Sequence, residues 1–297
     1  EMLRSLVGSE MCIRDRIGSG YFAERILDII STLNDCKCLC INAQENQWGE
    51  AKTALIGSGD FAEQVADLGR ESEIEVVGMF DGNRPKGSLV AGIPVLGNDD
   101  DVEPMFKDGV FDAIFICIGY ARFDLKQKLY ERFVGKVPMA TIIHPTAVIN
   151  PSARIGQNVL ISECAIISKD CIIEDNVSIM PAALLSHEAH IGKHCFIAGR
   201  TAMAGKVTIG ERSFIGLNSS IRDHVTIGHD ATVGMGSVVT KDVADFDTVF
   251  GNPAKSRNKT RNDMNNNMLN NLTLGGGKFL TVNALCCLSF CAERRAA

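Results

Sequence analysis

The sequence predicts an α/β Rossmann-like N-terminal domain followed by an all-β left-handed parallel β-helix built from hexapeptide repeats. Two observations carry this expectation. From Ile143 onward an aliphatic residue recurs every six positions, and between Lys52 and Ile143 strand patterns alternate with helical ones after a Gly-x-Gly turn.

Written in sixes from Ile143, the chain reads IHPTAV, INPSAR, IGQNVL, ISECAI, ISKDCI, IEDNVS, IMPAAL, LSHEAH, IGKHCF, IAGRTA, MAGKVT, IGERSF, IGLNSS, IRDHVT, IGHDAT, VGMGSV, VTKDVA. Every first position is Ile, Leu, Met or Val, and every fifth, from Ala147 to Val243, is Ala, Val, Cys, Thr or Ser. With aliphatics at about a quarter of positions, such a run arises by chance on the order of 10⁻¹⁰ of the time. A period of six suits a triangular coil whose sides are each one short strand and a corner. First residues then point inward, fifth residues sit inside a corner where only small side chains fit, and residues 18 apart stack. Flat faces of this kind make trimerisation a reasonable expectation.

Residues 52–142 read as a small doubly wound unit. "KTALIG" is a buried strand running into Gly57-Ser58-Gly59 and the helical pattern "DFAEQVADLGRE". "IEVVGMF" is a second strand ending at Asp81, and "DAIFICIG" a third ending at Gly119 before the helix "ARFDLKQKLYERFV". Ligands of such sheets bind at the carboxyl ends of the strands. A Gly-x-Gly turn opening a helix lets backbone N–H groups approach an anion, although a tight turn without ligand has the same residues. Asp81 is placed to accept from a ribose or base. The unit has only about 90 residues and no second mononucleotide half, which argues against a redox dinucleotide enzyme.

The remaining segments fit neither pattern. Residues 1–16 close on "SLVGSEMCIRDR", which resembles translated sequencing-adapter sequence. Residues 17–51 contain "IGSGYFAERILDI", a partial repeat that matches "IGSGDFAEQVADL" at eight of thirteen positions. Residues 256–297 are an Asn-rich, low-complexity tail. Cys36, Cys38 and Cys40 alternate as along one strand face, with metal binding the competing reading, and no Cys-x-x-Cys pair occurs among the eleven cysteines.

A formal charge of −6, with one Trp and three Tyr, argues against a nucleic-acid groove. No stretch suits a membrane span and no secretory signal pattern opens the chain, so a cytoplasmic location is expected.

The Gly-Ser-Gly turn, "VVGMFDGNRPKGSLVAGIPVLGNDDD", "TIIHPTAVI", the hexads and the closing "VFGNPAK" together resemble the sialic-acid O-acetyltransferase-like family of sugar acyltransferases. That family includes N-acetyltransferases of nucleotide-linked 4-amino-4,6-dideoxy sugars, and the resemblance spans roughly residues 52–255. It implies an N-terminal domain holding the nucleotide of a nucleotide-sugar, with Gly57, Ser58, Gly59, Asp81 and Gly119 as its contacts. It also implies a homotrimeric β-helix binding acetyl-CoA between neighbouring subunits. In the family a His followed by an acid just before an Ile-Gly is the general base and its partner; "SHEAHIG" supplies His187 and Glu188. Two departures stand out. Gly59-Asp60-Phe61-Ala62 replaces the family's Gly-Gly-His-Gly, and Phe196 occupies the place where some members carry a second histidine near the coenzyme.

His187, third in its hexad, falls outside the inward positions and should reach the surface or a subunit groove. An imidazole is largely neutral at pH 7 and can accept a proton from an attacking amine, with Glu188 orienting the ring. Gly205 lies 18 residues on, one coil above; its N–H is a candidate donor to the thioester oxygen, a corner glycine being the plain alternative. Gly205, Gly216, Gly234 and Lys255 are the expected coenzyme contacts, and Lys241 could also meet its phosphates unless it is simply solvated. His190 and His194 could line the sugar pocket or be exposed turn residues. His224 and His229, five apart, invite comparison with a histidine metal site but occupy different phases, and no metal is expected.

The reaction expected is transfer of acetyl from acetyl-CoA to the amino group of a nucleotide-activated sugar. An O-acetyltransferase would use the same residues, and a metal-dependent or non-catalytic β-helix is the remaining class.

Overall fold

The computed structural model describes residues 51–257. The adapter-like segment 1–16, the partial repeat in 17–51 with its three alternating cysteines, and the tail from 258 lie outside them.

The α/β unit comprises β1 (Lys52–Ile56), α1 (Asp60–Glu71), β2 (Glu75–Phe80), β3 (Leu89–Val90), β4 (Ile93–Gly97), α2 (Val102–Lys107), β5 (Ala113–Ile116), a 3₁₀ turn (Tyr120–Arg122) and α3 (Phe123–Phe133). The expected strands and helices are present, while β3, β4 and α2 went unread because each is short and carries glycine or proline near it. The sheet order is β3-β4-β2-β1-β5, parallel except for the antiparallel β3–β4 hairpin. Because β1 lies between β2 and β5, the chain reverses its winding beside β1, and the crevice there opens at the Gly57–Gly59 turn. Apolar residues cover both sheet faces: Ala62, Val65 and Ala66 of α1 pack with Leu55, Met79 and Phe115, and Leu129 and Phe133 of α3 pack with Ile56, Phe80 and Ile114.

From Ile142 the chain coils as a left-handed triangular β-helix of two-residue strands. Face I runs from Ile142–Ile143 upward through Ser178–Ile179 and Phe196–Ile197 to Thr248–Phe250. Face II stacks Val148–Ile149 through Val238–Val239, and face III stacks Arg154–Ile155 through Thr226–Ile227. Residues 18 apart stand opposite one another, as Ile167 does with Ile149 and Leu185. First and fifth positions fill the prism, with Ile191, Cys195, Ile197 and Val207 fully buried. Each rung is worth the usual ~2–3 kcal/mol of a buried aliphatic.

The corners show what the period left unread. From Asn158 to Asp230 every fourth position is left-handed, with φ between +53° and +64°. Only some of these residues are Asn or Asp; Glu188, His194, Arg200 and Lys206 adopt the same conformation at a cost of roughly 1–2 kcal/mol each. The cost is offset by the ladder: the fourth-position N–H donates to the third-position carbonyl one coil below, as Lys206 does to His187 at 2.9 Å. The seventeenth hexad departs from the expected register. Val243 bridges Ile227 and Val249 pairs with Val233, each 16 residues on instead of 18, so the coil loses two residues after Val239.

The α/β unit covers face I. Ile142 and Leu160 share its core, and Lys126 of α3 donates to Ser178 Oγ at 3.1 Å. Asn158, Asn176 and His194 form a buried polar column on the III–I corner, each 2.8 Å from the next, with Asn158 accepting the Ile116 N–H at 2.8 Å. Burial drives the Lys126 pKa down to about 7 and that of His194 to about 4, the latter helped by neighbouring Lys126, Arg212 and Lys193. Face II is uncovered and apolar, exposing Val148 and Ile166, and is flanked on the I–II corner by Leu217 and Met235.

Candidate active site

The II–III corner carries His187. Its third-position side chain projects outward and is just over half exposed, and Nδ1 lies 3.1 Å from Glu188 Oε1. With the Nδ1 proton donated to Glu188, Nε2 is the basic nitrogen, and it has no partner among the described residues. Lys206 Nζ, one coil above, lies 3.8 Å from the other Glu188 oxygen. Gly205, also one coil above, is buried against the ring: a Cβ there would collide with His187 Nε2 and Cε1. The third-position N–H takes no part in the coil ladder, so the Gly205 amide is left without an acceptor among the described residues. An open ring nitrogen and an amide without an acceptor among the described residues therefore stand on neighbouring coils of one corner. Lys241 follows Val239 on the same corner, in the last coil, which is two residues short there.

The second cluster lies at the switch point of the sheet. Gly57 adopts φ +105°, and a Cβ there would press on Cys117 O and the Ile118 side chain at 3.2 Å. The amides of Ser58, Gly59, Asp60 and Phe61 have no acceptors among the described residues, as at any open helix N-terminus. Ser58 is buried and donates to Asp81 Oδ2 at 2.5 Å, while Arg84 Nε donates to Ser58 Oγ at 2.8 Å and Arg84 Nη2 to the Ser58 carbonyl at 3.2 Å. Burial pulls the Asp81 pKa up, but the bonds from Ser58 and the Asn83 N–H, with Arg84 nearby, outweigh it and hold the carboxylate below its ordinary value. Asp81, Gly82, Arg84, Lys86, Gly97, Asn98 and Asp101 line a cleft of about 230 Å³. Gly119 follows β5 beside this turn, its Cα hydrogen side facing Phe61.

The structure thus brings Gly57, Ser58, Gly59, Asp81 and Gly119 together, with Ser58 and Asp81 bonded mainly to each other. Arg84 and Lys86 were missed, although "DGNRPKG" holds both; nothing in the spacing singled them out. His187, Glu188 and Gly205 also meet. Gly216 and Gly234 do not join them: both stand on the I–II corner, where a Cβ would strike the next coil at Met235 N and Phe250 Cβ, so coil packing accounts for their being glycine. Lys255 is exposed beyond the last full coil. His194 is buried under α3 and not an exposed turn residue, and His190 Nε2 pairs with Glu174 at 2.7 Å on face III. Phe196 is buried on face I under Phe61 and Tyr120. His224 and His229 stand on different corners, and no group of three metal-ligating side chains gathers among the described residues. No helix among those residues is long and apolar enough to cross a membrane.

Residues 52–133 match the PglD N-terminal domain, and residues 137–250 the GMPPB C-terminal domain. No curated protein sequence matches the chain. Among solved structures, PerB from Caulobacter crescentus, in complex with CoA and GDP-perosamine, is 32% identical over 69% of this chain and 97% of its own, with a TM-score of 0.63. A mutant of the same organism's perosamine N-acetyltransferase, bound to the same two ligands, gives 31% identity and 0.64, over 69% and 96%. The acetyltransferase domain of PglB from Neisseria gonorrhoeae is 30% identical over 69% of this chain and 98% of its own, at 0.64. With its fold and its order of domains in place, this chain belongs to the hexapeptide-repeat family of sugar N-acetyltransferases.

Proposed function

We propose that the protein transfers the acetyl group of acetyl-CoA to the amino group of a nucleotide-activated amino sugar, using His187 as general base. The observation that carries this reading is the His187 ring, with Nδ1 held by Glu188 and Nε2 without a partner among the described residues, packed against Gly205, whose N–H has no acceptor among those residues. His187 Nε2 takes the proton as the sugar amine attacks the thioester carbonyl carbon. The Gly205 N–H donates to the oxygen as it gains charge, and Glu188 holds the ring and steadies the imidazolium. Collapse breaks the carbon–sulfur bond, and the departing thiolate receives the proton from the imidazolium, leaving free coenzyme A and the N-acetyl sugar. Lys241, higher on the same corner, is placed to meet the phosphates of the coenzyme. The nucleotide diphosphate belongs on the Gly57–Gly59 turn, with Arg84 and Lys86 beside it.

Within one protomer the two clusters face apart: the α/β unit covers face I, while His187 projects from the II–III corner opposite. The reading therefore includes a homotrimer. The I–II corners, with Leu217 and Met235, gather at the threefold axis, and the apolar face II of each protomer packs against the face I side of the next. His187 of one protomer then meets the nucleotide turn of its neighbour.

Release of free thiol from acetyl-CoA in the presence of amino-sugar nucleotides tests the reaction; undiminished turnover by His187→Ala sinks the assignment. Acceptors bearing only hydroxyls separate it from O-acetylation. Mixing His187→Ala with Arg84→Ala protomers should recover part of the activity that each lacks, because some mixed trimers hold one intact composite site; no recovery refutes the shared site.

A further inference from the structure

Four aromatic rings join the two domains at the edge of the glycine turn. Phe61, in the first turn of α1, lies 5.9 Å from Phe196; Tyr120 lies 5.3 Å from Phe196 and 4.7 Å from Phe214; Phe196 and Phe214 stack at 6.0 Å. Phe196 is buried, but Tyr120 is 54% exposed and lies over the half-buried Phe214 at a tilt of 33°, so Tyr120 offers its outer face to solvent with Phe214 backing it. A large aromatic left open on a packed cluster, beside an anion-binding turn, is where a ligand face would rest.

Topology states which part of the ligand that is. β2, β1 and β5 are neighbouring parallel strands, so their carboxyl ends form a row with about 4.8 Å between members. After β2 come Asp81 and the polar cleft with Arg84 and Asn98; after β1, the Gly57–Gly59 turn; after β5, Gly119 and Tyr120. The middle place suits a diphosphate, and the polar cleft, with its donors and acceptors, suits a nucleoside. The third place, apolar and continuous with the β-helix, is left for the sugar. We propose that Tyr120, backed by Phe214, forms a shelf for the apolar face of the sugar ring, and so selects the acceptor and aims its amine. This inference rests on the function proposed above and extends it to the residues that choose the sugar.

The test separates the sugar from the rest of the ligand. The probes are GDP-perosamine and the UDP- and dTDP-linked 4-amino-4,6-dideoxyhexoses, each with its free nucleoside diphosphate, titrated calorimetrically into wild type, Tyr120→Ala, Tyr120→Phe and Phe214→Leu. For the probe that binds tightest, Tyr120→Ala should weaken the nucleotide-sugar roughly tenfold and leave the free diphosphate unchanged, with Tyr120→Phe near wild type and Phe214→Leu intermediate. KM for that sugar should rise in step while KM for acetyl-CoA holds. Equal weakening of the free diphosphate would place the base on the shelf and overturn the inference, as would wild-type affinity in Tyr120→Ala. A wild-type protein that binds none of the probes overturns the functional reading and the shelf with it; one that binds and turns over while Tyr120→Ala matches it overturns the shelf alone.

Discussion

His187 and His229 occupy the same place in the repeat: each is third in its hexad, and each is followed by an acid in the left-handed fourth position, Glu188 at φ +58° and Asp230 at φ +54°. Their surroundings differ. His229 has both ring nitrogens engaged, Nδ1 by Asp230 at 2.8 Å and Nε2 by Asp245 at 3.1 Å, and Phe246 packs edge-on against the ring at 4.6 Å. Asp230 is in turn clamped by Arg212 through Nε at 2.7 Å and Nη2 at 2.6 Å, which holds its pKa below the ordinary value. His187 has one nitrogen engaged and one without a partner among the described residues, and its ring is seated against a glycine whose missing side chain makes room for it. A His–acid pair becomes a base only where the second nitrogen is open; where both are tied, it staples a corner.

This contrast can be broken most directly by exchanging the two histidines for alanine. His187→Ala should lower kcat by ~10²–10⁴-fold and leave thermal stability nearly unchanged. His229→Ala should leave kcat near wild type and cost about 1–2 kcal/mol of stability in urea titrations, because Asp245 loses its partner. The reverse pattern would mean that the wrong corner has been read as the site. Gly205→Ala tests the seat of the ring: the added methyl displaces the imidazole, and kcat should fall on the order of 10²-fold with the fold intact by circular dichroism. A normal rate there would show that the ring does not work against Gly205. Glu188→Gln keeps the shape but removes the charge from a half-exposed pair, so a loss of about tenfold in kcat is expected from steady-state kinetics.

The smallest effect concerns a third histidine. His194 is neutral in the folded protein down to about pH 4, whereas in the unfolded chain it titrates at its ordinary value near 6.5. Between those values the unfolded chain binds more protons, so stability should fall as pH drops from about 6.5 to 4 and level off below. Lys126, lowered to about 7, adds a loss of the same sign on the alkaline side, between the ordinary lysine range and 7. Urea midpoints measured across pH 4–6.5 should flatten in His194→Gln; an unchanged slope would assign the acid sensitivity to other groups.

Much of this was legible in the chain. The six-residue period located Ile191 and Ile197 inside the coil and put His187 on its outside, because inward and outward positions follow directly from repeat phase. The stacking of Gly205 on His187 followed from the 18-residue coil. What the period could not show is the shortened last coil, since a two-residue deletion leaves Val243 and Val249 as plausible aliphatic rungs either way. Nor could it assign Gly216 and Gly234, which share a residue type with Gly205 but stand on another corner.

By itself the sequence determined the coil, the Gly57 turn and the pair His187–Glu188, all of which arise from neighbours close in the chain or one repeat apart. Only the tertiary structure decided that Ser58, Asp81 and Arg84 bind one another, that His194 is buried under α3, and that Tyr120 lies on Phe214. The reason is distance along the chain: those contacts join residues from separate strands and from both domains, and no period or spacing encodes where one domain docks on the other. The same docking leaves His187 with its open nitrogen on the corner that the α/β unit does not cover.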